Sequence, residues 1–62
     1  MATYSETAET LVGEAARLAA RCEDIACDTE KTTYDRLVIM AFELAAVRSL
    51  LTRATDKMRA RS

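Results

Sequence analysis

Few residues of this chain could carry out chemistry. The sequence has no histidine, the usual general acid or base at neutral pH. Its two cysteines, Cys22 and Cys27, are five residues apart, which on a helix separates them by about 140° and prevents a mutual disulfide or a shared metal ion. One glycine in 62 residues excludes a phosphate-binding loop. We therefore expect no catalytic residue, cofactor or metal site, and a protein that is not an enzyme.

Three side chains still need an interpretation. Glu43 is the one acid inside the longest nearly apolar stretch, Leu37 to Val47. We expect its carboxylate to be solvated or paired with an arginine across a dimer, since carboxylate metal bundles use a Glu-x-x-His pattern that is missing here. Cys22 falls on an apolar stripe and is interpreted as core. Cys27 is expected to be exposed near a helix end.

The C-terminal part carries basic residues that could contact an anion such as phosphate. They are Arg53, Lys57, Arg59 and Arg61. Asp56 interrupts them, no aromatic residue is interleaved, and the chain has a net charge of −1 and a pI near 5.3. Nucleic-acid-binding proteins usually show a clear basic excess. We therefore expect another protein as the partner, with nucleic acid as the less favoured alternative.

The chain that must position these residues is short, with 62 residues and a mass of 6.9 kDa. A domain of this size buries only about 60% of its unfolded surface, so it usually needs a disulfide, a metal or another chain for support. The composition leaves another chain as that support. We find no signal-peptide pattern and no apolar stretch near the roughly 20 residues that span a bilayer. We expect a cytoplasmic protein with no membrane partner.

Twelve alanines, one glycine and no proline favour helix over strand. In each half of the chain, apolar residues recur at alternating intervals of three and four, as in a heptad repeat. They are Tyr4, Ala8, Leu11, Ala15, Leu18, Cys22 and Ile25, then Leu37, Met40, Leu44, Val47, Leu51, Ala54 and Met58. We predict one all-α domain over 1–62, with a helix over about 4–27, a loop over about 28–32 and a helix over about 33–60.

Pattern and charge predict that the two helices form an antiparallel hairpin. The heptad phase slips between them, since extending the first stripe leads to Arg36 rather than Leu37. Residues 1–31 carry three basic and seven acidic side chains, a net of −4, whereas residues 32–62 carry six and three, a net of +3. The acidic start of the first helix would then lie beside the basic end of the second.

Local signals mark the helix ends and one unusual residue. Thr32 with Asp35 resembles a capping box for the second helix, as does Thr3 with Glu6 for the first. No glycine closes the first helix, so one long bent helix is the alternative to the hairpin. Gly13 costs up to about 1 kcal/mol of helix propensity. Either a close helix crossing or an exposed flank would accommodate it.

The second helix carries a further apolar face, roughly 120° around the helix from its stripe. This face consists of Ile39, Phe42, Ala46 and Leu50. One partner helix cannot cover both faces. We therefore expect this one to join two hairpins into a four-helix bundle, with a different protein bound there, or a larger oligomer, as the alternatives.

The sequence thus predicts a small protein–protein interaction module: an adaptor, inhibitor or regulatory subunit that acts as a homodimeric helical bundle and binds another protein. The alternative is a hairpin dimer that binds nucleic acid through the basic end of its second helix. In architecture alone, this arrangement is similar to the Rop-type dimer of helical hairpins, which binds RNA. Salt dependence separates the two functions, because phosphate binding weakens steeply with added salt.

Overall fold

The computed structural model describes residues 6–60, which form two α-helices, α1 (Ala8–Ala26) and α2 (Thr33–Ala60). The helices are antiparallel, since Glu6 before α1 contacts Arg53 near the end of α2, while Ala26 contacts Arg36 at the loop end. This packing confirms the all-α hairpin and excludes one bent helix. The two-helix layer measures 44 × 26 × 13 Å. No helix within residues 6–60 is long and apolar enough to cross a membrane.

α1 begins at Ala8 because Thr7 caps it. The N–H of Thr10 donates to the Thr7 hydroxyl at 3.1 Å, and the N–H of Thr7 donates to the Thr10 hydroxyl at 2.9 Å. This reciprocal pair satisfies two backbone donors at the helix start. The predicted capping box began at Thr3, which lies outside the described residues, and Glu6 precedes the helix rather than lying in its first turn.

α1 ends at Ala26 without a glycine. Cys27 follows it, and the N–H of Cys27 donates to carbonyl oxygens in the last turn. Arg36 of α2 completes this end, because its Nη1 donates to the carbonyl oxygen of Ala26 at 2.9 Å. A cation at a helix C-terminus is favoured by the helix dipole, and α1 has no basic residue in its own last turn. α2 therefore supplies the cap that α1 lacks.

Asp28 organises the loop between the helices. The N–H of Glu30 donates to its Oδ1 at 3.0 Å, and the Nζ of Lys31 donates to its Oδ2 at 2.9 Å. The Lys31 hydrogen bond, helped by the Glu30 N–H, lowers the pKa of the Asp28 carboxyl, and the same bond raises the pKa of Lys31. Thr32 then caps α2, since the N–H of Asp35 donates to its hydroxyl at 3.0 Å, which is one of the two hydrogen bonds of the predicted capping box.

α1 packs against α2 through the stripe that its sequence predicts. Leu11 is fully buried, and Ala15 and Cys22 are buried beside it. Leu18 and Ile25 continue the stripe and are half-buried. The heptad pattern of α1 therefore identifies the inward side of this helix correctly.

α2 faces α1 with only part of the predicted stripe, since Met40, Val47 and Ala54 lie inward as predicted. Four members of its predicted stripe are largely exposed, namely Leu37 (61%), Leu44 (52%), Leu51 (45%) and Met58 (59%). The inward positions have the same three-and-four spacing but another phase. They are occupied by Arg36, Met40, Glu43, Val47, Leu50, Ala54 and Lys57.

Polar contacts explain this orientation of α2. Arg36 reaches the carbonyl of Ala26, and Glu43 reaches Arg21, whose Nε lies 3.2 Å from the Glu43 Oε2. Both contacts require these side chains on the side of α2 that faces α1. Because the first half of α2 is apolar around most of its circumference, several orientations bury similar apolar area and the charged contacts select among them. The predicted phase slip is wrong, since Arg36 and not Leu37 faces α1.

Candidate interaction surface

The buried residues assign heptad positions a to g to both helices. In α1, Ala15 and Cys22 are a positions and Leu11 is a d position, whereas in α2 Val47 and Ala54 are a positions. Because the helices run in opposite directions, the e positions of both lie on one side of the line of contact and the g positions of both on the other. The hairpin therefore has two broad sides, which can be compared residue by residue.

The e side of the hairpin is apolar throughout its described length. Its residues, which we call the apolar face, are Val12, Ala19 and Ala26 of α1 with Leu37, Leu44, Leu51 and Met58 of α2. None of them carries a charge, and the large ones are 45 to 61% exposed. The sequence prediction placed the three leucines between the two helices. α1 repeats apolar residues every seven positions at its own e positions, Val12, Ala19 and Ala26. That repeat is the sequence signal that assigns the three leucines to the apolar face rather than to the contact between the helices.

The opposite side is polar and ion-paired. Arg21 pairs with Glu43 across the two helices, and Glu6 pairs with both Arg53 and Lys57, the Lys57 Nζ lying 3.5 Å from a Glu6 carboxylate oxygen. An open groove on this side is lined by Glu14, Arg17, Leu18, Arg21 and Leu50. We call this the ion-paired side. Charge and apolar area are therefore segregated to the two sides of one layer.

The four residues predicted to join two chains differ in how far they are exposed in the structure. Ile39 and Leu50 are half-buried beside α1, whereas Phe42 is 75% exposed and Ala46 is exposed. Leu50 is one of the inward positions and also lines the groove on the ion-paired side, whereas Ile39, Phe42 and Ala46 lie toward that side or the outer surface of α2. Their role as a dimer contact stays a prediction, and only Phe42 among them offers a large exposed side chain.

The basic residues predicted to contact an anion are partly occupied. Arg53 and Lys57 both pair with Glu6, whose single negative charge balances one of their two positive charges. Arg59 is exposed, and Arg61 lies outside the described residues. The predicted neighbourhood of an acidic helix start and a basic helix end is confirmed. This pairing reduces the positive charge that a phosphate group would meet.

Glu43 is ion-paired, but its arginine belongs to the same chain. Its side chain is 12% exposed, whereas the side chain of its partner Arg21 is 75% exposed. Within residues 6–60, the buried Oε1 of Glu43 and the buried Nε of Arg36 have no hydrogen-bond partner. A carboxylate that is desolvated and only half satisfied contributes little net stability. Its contact with Arg21 is made only when Glu43 is on the side of α2 that faces α1.

Gly13 lies beside open space in the hairpin. A Cβ atom built on it would meet one described neighbour outside the local backbone, the Nη1 of Arg17, at an ordinary contact distance of 3.9 Å. α2 therefore does not approach α1 closely at this position. Of the two interpretations of Gly13, the hairpin supports the exposed flank.

Neither chemistry nor relatives point to a function. Within the described part of the chain, no group of three or more Cys, Asp and Glu side chains could hold a metal ion. Cys22 is buried and Cys27 is exposed, as the sequence predicts. No family model matches the chain, and neither the curated proteins nor the solved structures include a significant match.

Proposed function

We propose that this protein is a small, non-enzymatic protein–protein interaction module, an adaptor, inhibitor or regulatory subunit, that acts as a homodimeric four-helix bundle in the cytoplasm. The observation that carries the proposal is the amount of large apolar surface that the hairpin leaves open. Among the described residues, four apolar residues are buried, and Leu11 is the only large one of them. Eight large apolar residues are exposed: Val12, Tyr34, Leu37, Val38, Phe42, Leu44, Leu51 and Met58.

Such a distribution is typical of half a core. A domain normally packs two layers of secondary structure around its apolar side chains, and this hairpin is a single layer 13 Å thick. Burying a large apolar side chain completely contributes about 1.5 to 3 kcal/mol, so leaving several of them open removes stability that a 62-residue chain needs. Large contiguous apolar patches on small proteins usually mark interaction sites. Association supplies the missing layer.

Nucleic-acid binding is the weaker alternative. It would use the basic end of α2, where Arg53 and Lys57 are already paired with Glu6. Binding to phosphates releases counterions and therefore weakens steeply as salt is added, whereas apolar association does not. Assembly that persists at high salt, with no retention of nucleic acid at low salt, supports the interaction module.

The test of the proposal is the absolute mass in solution. Light scattering on a sizing column, over a concentration series extending to about 1 mM, detects even a weak dimer with a Kd near that value. Circular dichroism on the same samples reports helicity. A helical species of twice 6.9 kDa is the expected result. A fully helical monomer across the series would overturn the proposed dimer.

A further inference from the structure

We infer that a second copy of this chain covers the apolar face, and that the dimer contact is made by Leu37, Leu44, Leu51 and Met58 rather than by Phe42. The inference deepens the proposed function and rests on it, because it names the surface and the partner for the same assembly.

The repeat on the two helices is that of a bundle helix rather than of an isolated pair. A two-helix seam needs apolar residues at a and d alone, while a helix that also faces a second layer carries a third apolar position at e or g. α1 shows this pattern, because its a and d positions are apolar and its e positions are apolar as well. In α2 the apolar positions are mainly a and e, since Arg36, Glu43 and Lys57 occupy three of its four d positions. The described e positions are Val12, Ala19 and Ala26 in α1 and Leu37, Leu44, Leu51 and Met58 in α2.

The charge on each side favours the apolar face as the contact between copies. Two identical faces meet in a twofold dimer, so any charge on the face would be desolvated in both copies. The apolar face has none. The ion-paired side carries Glu6, Arg21, Arg53 and Lys57, and burying that side would remove these charges from water. Solvent is therefore the favoured environment for the ion-paired side.

The outline of the layer leaves room for an interface of standard size. A rectangle of 44 by 26 Å, which bounds the whole layer and is larger than the apolar face, encloses about 1,100 Å². A specific interface of standard size uses about 800 Å² on each partner. A second hairpin has the same outline because it is an identical copy. Its addition converts one layer of two helices into two layers, the smallest arrangement with an enclosed core. An exposed side chain such as Leu37, at 61% open, then becomes a core residue.

The Phe42 position lies outside this contact. Phe42 is at heptad position c of α2, which points away from the line between the helices. It is 75% exposed, so it is available to a third protein after the dimer has formed. The dimer contact and the further binding surface are thus different parts of α2, and single substitutions can test them separately.

Leu44→Ala and Phe42→Ala form a matched pair of variants for this test. Both positions are exposed and two residues apart on α2, and both changes favour helix formation. Leu44→Ala removes apolar contact from both copies of a dimer, so we expect its Kd to rise about 10- to 100-fold. We expect the Kd of Phe42→Ala to stay within about twofold of the parent value. Sedimentation equilibrium measures both constants.

Each outcome decides between the alternatives. A weakened Leu44→Ala dimer that regains mass and helicity at higher concentration supports the inference and shows that the variant still folds. Weakening by Phe42→Ala, alone or together with Leu44→Ala, overturns it in favour of the interface predicted from sequence. Two unchanged variants place the contact elsewhere and also overturn it. If the unmodified chain is a helical monomer, the proposed function itself fails, which is a separate result.

Discussion

Replacing Arg36 with methionine removes the cap that α2 supplies to α1. Methionine matches arginine in length and helix propensity, so the main change is loss of the hydrogen bond to the Ala26 carbonyl at 2.9 Å. Hydrogen bonds from charged donors contribute about 1.5 to 3 kcal/mol, and a cation at a helix C-terminus about 0.3 to 1 kcal/mol. Arg36 is only half-buried, so screening by solvent reduces the combined effect. We expect a loss of about 1 to 2 kcal/mol in the free energy of unfolding.

That loss is large for a chain of this length. At about 0.05 to 0.15 kcal/mol per residue, 62 residues correspond to roughly 3 to 9 kcal/mol in total. Urea unfolding followed by far-UV circular dichroism measures the change, at one fixed protein concentration because association contributes to stability. Arg48→Met is the matched control, since Arg48 is exposed on the same helix. Equal urea midpoints for Arg36→Met and Arg48→Met would refute the capping argument.

Two further predictions follow from the local geometry. Gly13→Ala should raise the free energy of unfolding by about 0.5 to 1 kcal/mol, because the added Cβ meets only the flexible end of Arg17; a lower thermal midpoint would show that another backbone approaches there. Asp28→Asn keeps an oxygen for the Glu30 N–H but removes the charge that pairs with Lys31. The Asp28 pKa is lowered and the Lys31 pKa is raised, so the stabilisation is fully present above the ordinary 3.8 of Asp28 and below the ordinary 10.5 of Lys31. It is lost as pH falls through the lowered pKa of Asp28 or rises through the raised pKa of Lys31. Urea titrations over pH should show the parent's advantage over Asp28→Asn vanishing at both extremes, and a pH-independent difference would contradict this.

The parts of the fold that could be predicted from sequence are those with one strong signal. α1 has a single apolar stripe, so the burial of Leu11, Ala15 and Cys22 follows from its heptad spacing. The cap at Thr32 follows from a polar residue placed just before an apolar run. The position of the acidic start of α1 beside the basic end of α2 follows from opposite net charges in the two halves of the chain, and Glu6 with Arg53 is the pair that forms there.

The orientation of α2 could not be predicted in the same way. Its first half is apolar on nearly every side, so the pattern of apolar residues does not specify which side faces α1. The decision depends on Arg36 and Glu43, whose partners Ala26 and Arg21 are known only once the helices are placed side by side. The residues assigned to the candidate interaction surface therefore differ between the sequence prediction and the structure. Leu44, which the sequence assigned to the inter-helix contact, became part of the surface.

One polar contact joins the helices at each end of the hairpin, and the two contacts close segments of chain of very different length. Arg36 and Ala26 are ten residues apart, whereas Arg53 and Glu6 are 47 residues apart. The entropy of closing a loop grows with the logarithm of its length, so closing the open end first costs about 1.4 kcal/mol more than closing the loop end first. We therefore expect folding to start at the loop that contains Asp28 and to proceed outward along both helices. We expect the open end to fray first, so that amide hydrogen exchange is fastest in the first turn of α1 and the last turn of α2.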